Sequence, residues 1–358
     1  MSINRLYHTW FQRITQLRPD ERVSRRRTLV WLMIGIYRSR SVHLSLVAGK
    51  IPGRALLLST VRRLSRWLDN SAVRVREWYD PVAAEVLQSM AASTREVRLI
   101  ADGSRVGSGH QLLMVSLAFR RRAIPLVWTW VKCPKGHSSA TKQLALLAHV
   151  RCWVPADIPV LLVGDTEFGA MAVLEQLDSW QWRYVLRQGT IHGVQLPGQT
   201  SWEKFGSLVQ NPGQSRWVEG ALLTARSAYP TNLLAYWAIG EEKPWLLATN
   251  LPCQRAALQA YRRRMWIEEM FGDMKGHGFD LETTHLRHFL RLSRLTLAVA
   301  LLYVWLVSVG TQAIKHGQRR LVDRNDRRDL SIFQIGWRII DRCLTNGLDI
   351  LLTLHPCP

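Results

Sequence analysis

The spacing of apolar positions gives this chain three textures. Through the first 95 residues apolar side chains recur every three to four positions among arginines, the period of packed helices. In "RALLLSTVRRLSRWLDN", Leu57, Val61, Leu64 and Leu68 fall at helical spacing and are predicted to face a core, with Arg62, Arg63 and Arg66 on other faces. "GKIPG", just upstream, signals a turn. After Arg95 the period shortens. "EVRLIAD" predicts a strand ending at Asp102-Gly103, "HQLLMVSLAF" and "AIPLVWTWV" a strand pair joined by Arg120-Arg121-Arg122, "SATKQLALLAHVRCWV" a helix and "IPVLLVGD" a buried strand ending at Asp165. "GAMAVLEQLDSW" then predicts a helix and "RYVLRQ" a further strand. Three strands, helix, strand, helix, strand is an α/β order. From about 189 to 253 glycine and proline punctuate short strands, ending in "PWLLATNL". Two helical stretches follow, "AYRRRMWIEEMFGDMKGHGF" and the apolar "LTLAVALLYVWLVSV", Leu295 to Val309. The second is shorter than the roughly 20 residues that cross a bilayer, and it is read as the buried helix of a large core.

Charge narrows the partner. The 358 residues carry a formal +21 at a pI near 10.7. Residues 1–95 hold 17 Lys and Arg against 6 Asp and Glu, about half of that excess. Such an imbalance calls for a polyanion, first nucleic acid and second an anionic membrane surface. A helix, a short turn and an arginine-bearing helix could set the second helix in a DNA groove. A helical bundle with a solvated arginine face fits the same residues. The five cysteines, Cys133, Cys152, Cys253, Cys343 and Cys357, are scattered and lack CxxC spacing, as expected of reduced thiols in a cytoplasmic protein. Basic residues interrupt the early apolar runs, so no signal peptide is expected.

Candidate chemistry gathers at three acids. Asp102 and Asp165 end predicted strands, the edge where open α/β sheets form sites. An Asp-Gly turn and a helix cap are the ordinary alternatives. On a continuous helix at about 100° per residue, Tyr261, Arg264, Glu268 and Lys275 fall within about 60° of one another. Apolar Met265, Ile267, Met270 and Phe271 flank that stripe, which suggests a site embedded in protein. A lone Arg264–Glu268 pair would be worth only tenths of a kcal/mol and would leave Tyr261 and Lys275 unexplained. Three converging carboxylates repel one another without counter-charge. Two magnesium ions would supply it and would suit phosphodiester chemistry, with manganese as a substitute. No GxxxxGK[ST] sequence is present, so no nucleoside triphosphate is expected as fuel.

Tyr261-x2-Arg264-x3-Glu268-x6-Lys275 resembles the Tyr-Arg-Glu-Lys signature of DDE transposases, in the bacterial insertion-sequence branch that moves by cut and paste. "GFDLE" and "LSIFQIGWRII" are also similar to that family. The resemblance covers most of the chain. It implies an α/β fold: a ribonuclease-H-like core at 96–310, a β-rich insertion at about 189–253, a helical DNA-end-binding domain at 1–95 and a short helical C-terminal segment at 311–358. It implies metal ligands Asp102, Asp165 and Glu268, with Tyr261, Arg264 and Lys275 holding the transposon-end strand. By the same resemblance Trp245, in "PWLLATNL", would stack on a flipped base, with core packing as the alternative and Trp237 as the fallback. The second acidic motif departs from the family's common Asp-Arg-Gly-Phe: here it reads Asp165-Thr166-Glu167-Phe168, and Glu167 has no assigned role.

The expected partners are double-stranded DNA, both terminal inverted repeats and target, and a second copy of the chain in an end-paired homodimer. The expected location is the cytoplasm, at the nucleoid, without membrane attachment. A domesticated DNA-binding protein without chemistry, or a structure-specific nuclease of the same fold, would share much of this pattern.

Overall fold

A computed structural model describes residues 2–107, 109–132, 138–324 and 326–357; Cys133 lies outside them. The chain runs through helices α1 (Ser2–Leu17), α2 (Val23–Ser39), α3 (Leu44–Ala48), α4 (Leu57–Asp69) and α5 (Val75–Thr94). Strands β1 (Val97–Val106), β2 (His110–Phe119) and β3 (Arg122–Val131) follow, then α6 (Ala140–Arg151), β4 (Val160–Gly164), α7 (Met171–Ser179) and β5 (Arg183–Arg187). Next come β6 (Gly193–Gln195), β7 (Glu203–Lys204), β8 (Ser215–Leu223), β9 (Tyr229–Tyr236) and β10 (Trp245–Thr249). Helices α8 (Gln254–Tyr261), α9 (Met265–Met274), α10 (Phe289–Lys315) and α11 (Ile332–Thr345) complete it.

These elements form two compact units. One comprises the residues up to Ser89, Val106–His110 and those from Met270 on; the other comprises Met90–Arg105 and Gln111–Glu269. The division therefore falls differently from the expected boundaries at 95 and 310, because α10 and α11 share a core with the first helices rather than with the sheet.

The helical unit is organised by α10. Its most apolar window has a mean hydropathy of 1.9, enough in length and composition to cross a membrane, yet 89% of that window is buried inside the protein. The expected core helix is thus present, and longer than its apolar run. On α1, Leu6, Trp10 and Ile14 are buried at four-residue spacing. Gly310 of α10 and Gly336 of α11 mark a close crossing: a Cβ at Gly336 would lie 1.8 Å from the Leu306 carbonyl oxygen, and one at Gly310 would lie 2.0 Å from that of Ile332. The buried guanidinium of Arg294 donates to the carbonyls of Leu68 (2.7 Å) and Val73 (2.9 Å), fastening the end of α4 to α10. Leu64, Trp67 and Leu68 face inward from α4 and Val61 is half-buried. Leu57 does not follow the expected pattern. It is 49% exposed, because the inward face begins at Thr60, and Leu58 is 66% exposed beside it.

The other unit carries a ten-stranded sheet in the order β3-β2-β1-β4-β5-β10-β9-β8-β6-β7. Strands β1, β4 and β5 are parallel, with Ala101 opposite Gly164 and Gly164 opposite Leu186. β10 joins β5 antiparallel, so the strands of the expected insertion extend the same sheet. All five residues of β4 are buried, as a strand covered on both faces requires. β2 and β3 meet across Arg120 and Arg121, whose φ values of 41° and 64° supply the left-handed turn that a two-residue hairpin needs. β1 does not stop at Asp102-Gly103 as expected. It continues to Val106, and the missing side chain at Gly103 makes room for Gln111: a Cβ there would lie 2.2 Å from the Gln111 Nε2.

Candidate active site

Parallel pairing sets the first two acids side by side. Ala101 and Gly164 are opposite one another in β1 and β4, so the residues that follow, Asp102 within β1 and Asp165 just past the end of β4, come side by side. The Asp165 amide donates to the Ala101 carbonyl at 3.4 Å, holding the two chain ends in step. Asp102 is buried, and one of its carboxylate oxygens accepts from the Gly103 amide at 2.7 Å.

The third acid arrives from the helical stretch, which is not one continuous α-helix. α8 ends at Tyr261, Arg262–Arg264 form a 3-10 turn, and α9 then carries Glu268. The turn is wound at three residues per turn, so equal spacing along the whole stretch fails as a guide. Arg264 and Glu268 nonetheless remain partners at 2.6 Å. Lys275 does not continue the stripe. It follows the last residue of α9, belongs with the helical unit and pairs with Glu282 at 2.9 Å. The chain turns there because Gly278 allows a close approach: a Cβ would lie 2.1 Å from the Asp273 carbonyl oxygen.

The three acids converge on one nitrogen. Arg264 Nη2 lies 2.6 Å from Glu268 Oε1, 3.1 Å from Asp102 Oδ2 and 3.9 Å from Asp165 Oδ2. Side-chain exposure is 3% at Asp102, 14% at Asp165 and 44% at Glu268, so the cluster opens to solvent on its α9 side. Burial works against the guanidinium charge. Asp102, then Tyr261, Asp165 and Glu268, work for it and prevail, raising the Arg264 pKa above its ordinary value. Sequence spacing paired Arg264 with Glu268 but did not show that it would also reach both aspartates.

Metal fit follows from this geometry. Three carboxylates at one point are the hard oxygen donors that magnesium or manganese takes. Among the described residues, however, no group of three or more His, Cys, Asp or Glu side chains is arranged to hold a metal ion. The donor set suits a divalent cation in chemistry, while the Arg264 guanidinium stands at its focus.

Around the cluster, Tyr261 is 2% exposed and its hydroxyl has no hydrogen-bond partner among the described residues. Burial raises its pKa; the charges of Arg264 and Arg187 oppose the rise. Arg187 was missed from sequence because a single arginine at a strand end carries no pattern. It ends β5, on the same edge as Asp165, and donates to the Pro244 carbonyl at 3.0 Å. Trp245 is half-buried, edge-on to Tyr261 with ring centres 5.1 Å apart. Trp237 is occupied locally, its indole donating to the Glu241 carbonyl at 2.8 Å. Met265 is 47% exposed, so the apolar enclosure expected around the stripe is open at that point, whereas Ile267 is fully buried.

Glu167 is a tether. Its carboxylate, 4% exposed as a residue, accepts from the Ser138 amide (2.6 Å) and from Gln111 Nε2 (2.9 Å), while Gln143 Nε2 donates to its carbonyl (2.5 Å). It fixes the turn after Asp165 to β2 and to the start of α6.

Arg62, Arg63 and Arg66 lie in the helical unit and are exposed along α4. Arg291 reaches Ser65 on the same helix at 2.7 Å.

No family model matches this sequence, and no curated relative does. Among solved structures the chain is similar to a piggyBac transposase synaptic complex with hairpin DNA, at 9% identity and a TM-score of 0.42, over 96% of this chain and 77% of that one.

Proposed function

We propose that this chain is a transposase that cuts DNA at the ends of its own element and joins them to target DNA, using Asp102, Asp165 and Glu268 with divalent metal. The observation that carries the reading is the convergence of those three carboxylates at the edge of parallel strands, in a chain of formal charge +21. The strand order β3-β2-β1-β4-β5, with helices between β3, β4 and β5, also supports a ribonuclease-H-like core of the insertion-sequence type. Bound magnesium or manganese would polarise the scissile phosphate and the attacking oxygen. The three acids would orient that cation pair, and Tyr261 and Arg187 would face the phosphate beside it. Nothing in this chemistry requires a nucleoside triphosphate.

The direct experiment incubates the purified chain with DNA carrying the sequences that flank its gene, in magnesium or manganese. Nicks at a defined end followed by joined products support transposition. Cutting without joining supports a nuclease. A second reading, a DNA-binding protein without chemistry, is favoured by one observation: Arg264 already neutralises much of the acidic cluster. Specific binding with no cleavage in either metal would select it.

Recognition of the ends is assigned to α4. Its exposed face carries Leu58, Ser59, Arg62, Arg63 and Arg66. The arginines suit phosphates, and Leu58 suits a thymine methyl. Replacing Arg62 and Arg66 together with alanine should flatten the log–log salt dependence of binding by about 1.8 units, about 0.9 per lost phosphate contact. Leu58→Ala should keep the slope and relax base preference. Anisotropy titrations across salt concentrations measure both. An unchanged slope in the double variant sinks the assignment.

Trp245 is proposed to support a distorted strand end, since it is half-buried beside Tyr261. An aromatic–base stack is worth about 1–3 kcal/mol. Trp245→Ala should slow second-strand cleavage more than the first nick, with partial rescue by a substrate lacking the stacked base. Equal slowing of both steps, together with lost thermal stability, would assign Trp245 to packing.

A further inference from the structure

The face of the sheet that carries Asp102 also carries a group of arginines. Alternate residues of a strand share a face, so Arg98 and Asp102 of β1 point the same way. Parallel pairing sets Arg98 opposite Leu161 of β4, and Leu161 opposite Arg183 of β5. Arg98 and Arg183 therefore stand on that same face, two strand spacings or about 10 Å apart, with buried Leu161 between them. Glu96 pairs with both: one carboxylate oxygen accepts from Arg98 Nε and the other from Arg183 Nη2. Each arginine spends a single nitrogen on it, and both side chains are 44% exposed.

A third arginine joins them. The 3-10 turn Arg262–Arg264 packs on β4. Successive side chains on such a turn diverge by about 120°. Arg264 thus reaches Asp102, while Arg263 comes beside Arg98 and Glu96. Among the described residues the half-buried Arg263 guanidinium has no acid or hydrogen-bond acceptor of its own. Burial lowers its pKa, Arg98 lowers it further, and Glu96 opposes them. Three guanidiniums share one carboxylate, leaving two positive charges in excess.

We propose that Arg98, Arg183 and Arg263 form a phosphate-binding site for the DNA backbone, with Glu96 as the positioning residue that fixes the first two. The inference rests on the reading of this chain as a DNA-processing protein. Guanidinium forks match phosphate oxygens, and the nitrogens left open by Glu96 are the donors for them. Arg98 precedes Asp102 by four residues, about 13 Å along the strand. DNA rises about 3.4 Å per nucleotide, so the phosphate held here lies within about four nucleotides of the one at the acids. This contact belongs to the sheet unit and adds to those proposed for α4.

The test measures binding of the full chain, across salt concentrations, to a duplex carrying the gene's flanking sequence and to a scrambled duplex. Arg263→Gln should weaken both about tenfold at low salt and flatten the log–log slope by about 0.9, one phosphate contact. Both duplexes should respond alike, because a backbone contact reads no sequence. Arg226→Gln removes the same charge from the exposed loop between β8 and β9 and should leave the slope unchanged. A wild-type slope in folded Arg263→Gln overturns the proposal. So does an equal loss in Arg226→Gln, which would assign the effect to total charge. Neutral methylphosphonates placed singly along the flanking duplex test the site should Arg263→Gln not fold. Wild type should lose affinity at one phosphate near the cut, and Arg183→Gln should lose nothing further there. Additive losses at every phosphate overturn the proposal. Cleavage is scored separately. Cutting and joining by wild type with no effect of Arg263→Gln on the slope leaves the transposase reading standing and removes this site. A flattened slope in a chain that cuts no DNA does the reverse.

Discussion

Asp102→Asn, Asp165→Asn or Glu268→Gln should each abolish strand cleavage under the proposed function, by on the order of a thousandfold or more, and leave DNA binding within about twofold. Each change keeps the size of the side chain and removes one of the three negative charges that meet at Arg264. The helix proposed to bind DNA belongs to the other unit, so its arginines are untouched. Gel assays of nicked products, run beside binding titrations on the same preparations, measure the split. Glu167→Gln is the control that separates chemistry from scaffold. Two N–H donors among the described residues reach the Glu167 carboxylate, the Ser138 amide and the Gln111 side-chain amide. A glutamine there can offer an oxygen to one and must turn its own NH2 toward the other. It should lose about 1–3 kcal/mol of stability and still cut below its melting temperature. Cleavage by Asp165→Asn with none by a folded Glu167→Gln would move the second ligand from 165 to 167.

Gly336→Ala should destabilise the helical unit by about 3 kcal/mol or more. The new methyl would sit 1.8 Å from a backbone oxygen of α10, and backbone cannot rotate aside as a side-chain tip can. Gly310→Ala meets the same obstacle from the other helix, at 2.0 Å from the Ile332 oxygen. Gly276→Ala is the contrast: nothing lies within 4 Å of its Cβ position, so its melting temperature should stay near wild type. Thermal melts followed by circular dichroism measure all three. A Gly336→Ala protein that melts like wild type would mean the helices cross farther apart than described.

Asp165 was legible as a strand end and Glu268 by helical spacing, because both are local properties, whereas Asp102 was singled out by a strand end that the structure does not have there. A buried apolar run followed by aspartate marks Asp102 and Asp165, and i, i+4 spacing pairs Arg264 with Glu268. What local pattern cannot carry is what lies across a strand or a crossing. Asp-Gly reads as a turn, yet β1 runs on because Gln111 of β2 fills the space beside Gly103. Lys275 reads as the fourth member of a stripe, yet the helix has ended one residue before it. Arg264 reads as a DNA contact, and only its tertiary position sets it among three acids. Leu57 fits the helical period but precedes the first inward residue of α4. The short strands after Gly189 were legible as strands. That β10 would pair with β5 and make one sheet was not, since register depends on residues some 60 positions apart.

The Glu167 tether has an evolutionary corollary. Gln111 and Gln143 both hydrogen-bond to Glu167, and Gly103 leaves the space that the Gln111 side chain fills, so four distant positions meet beside Asp165. A glycine at 167, as the commoner Asp-Arg-Gly-Phe motif would place there, would remove the carboxylate that accepts from the Gln111 side chain and the Ser138 amide. Such a change would be tolerated only with partners altered at the same time. These positions should therefore be inherited as a block: sequences descended from this one should either keep all four or replace them together, and intermediates bearing one change should be rare.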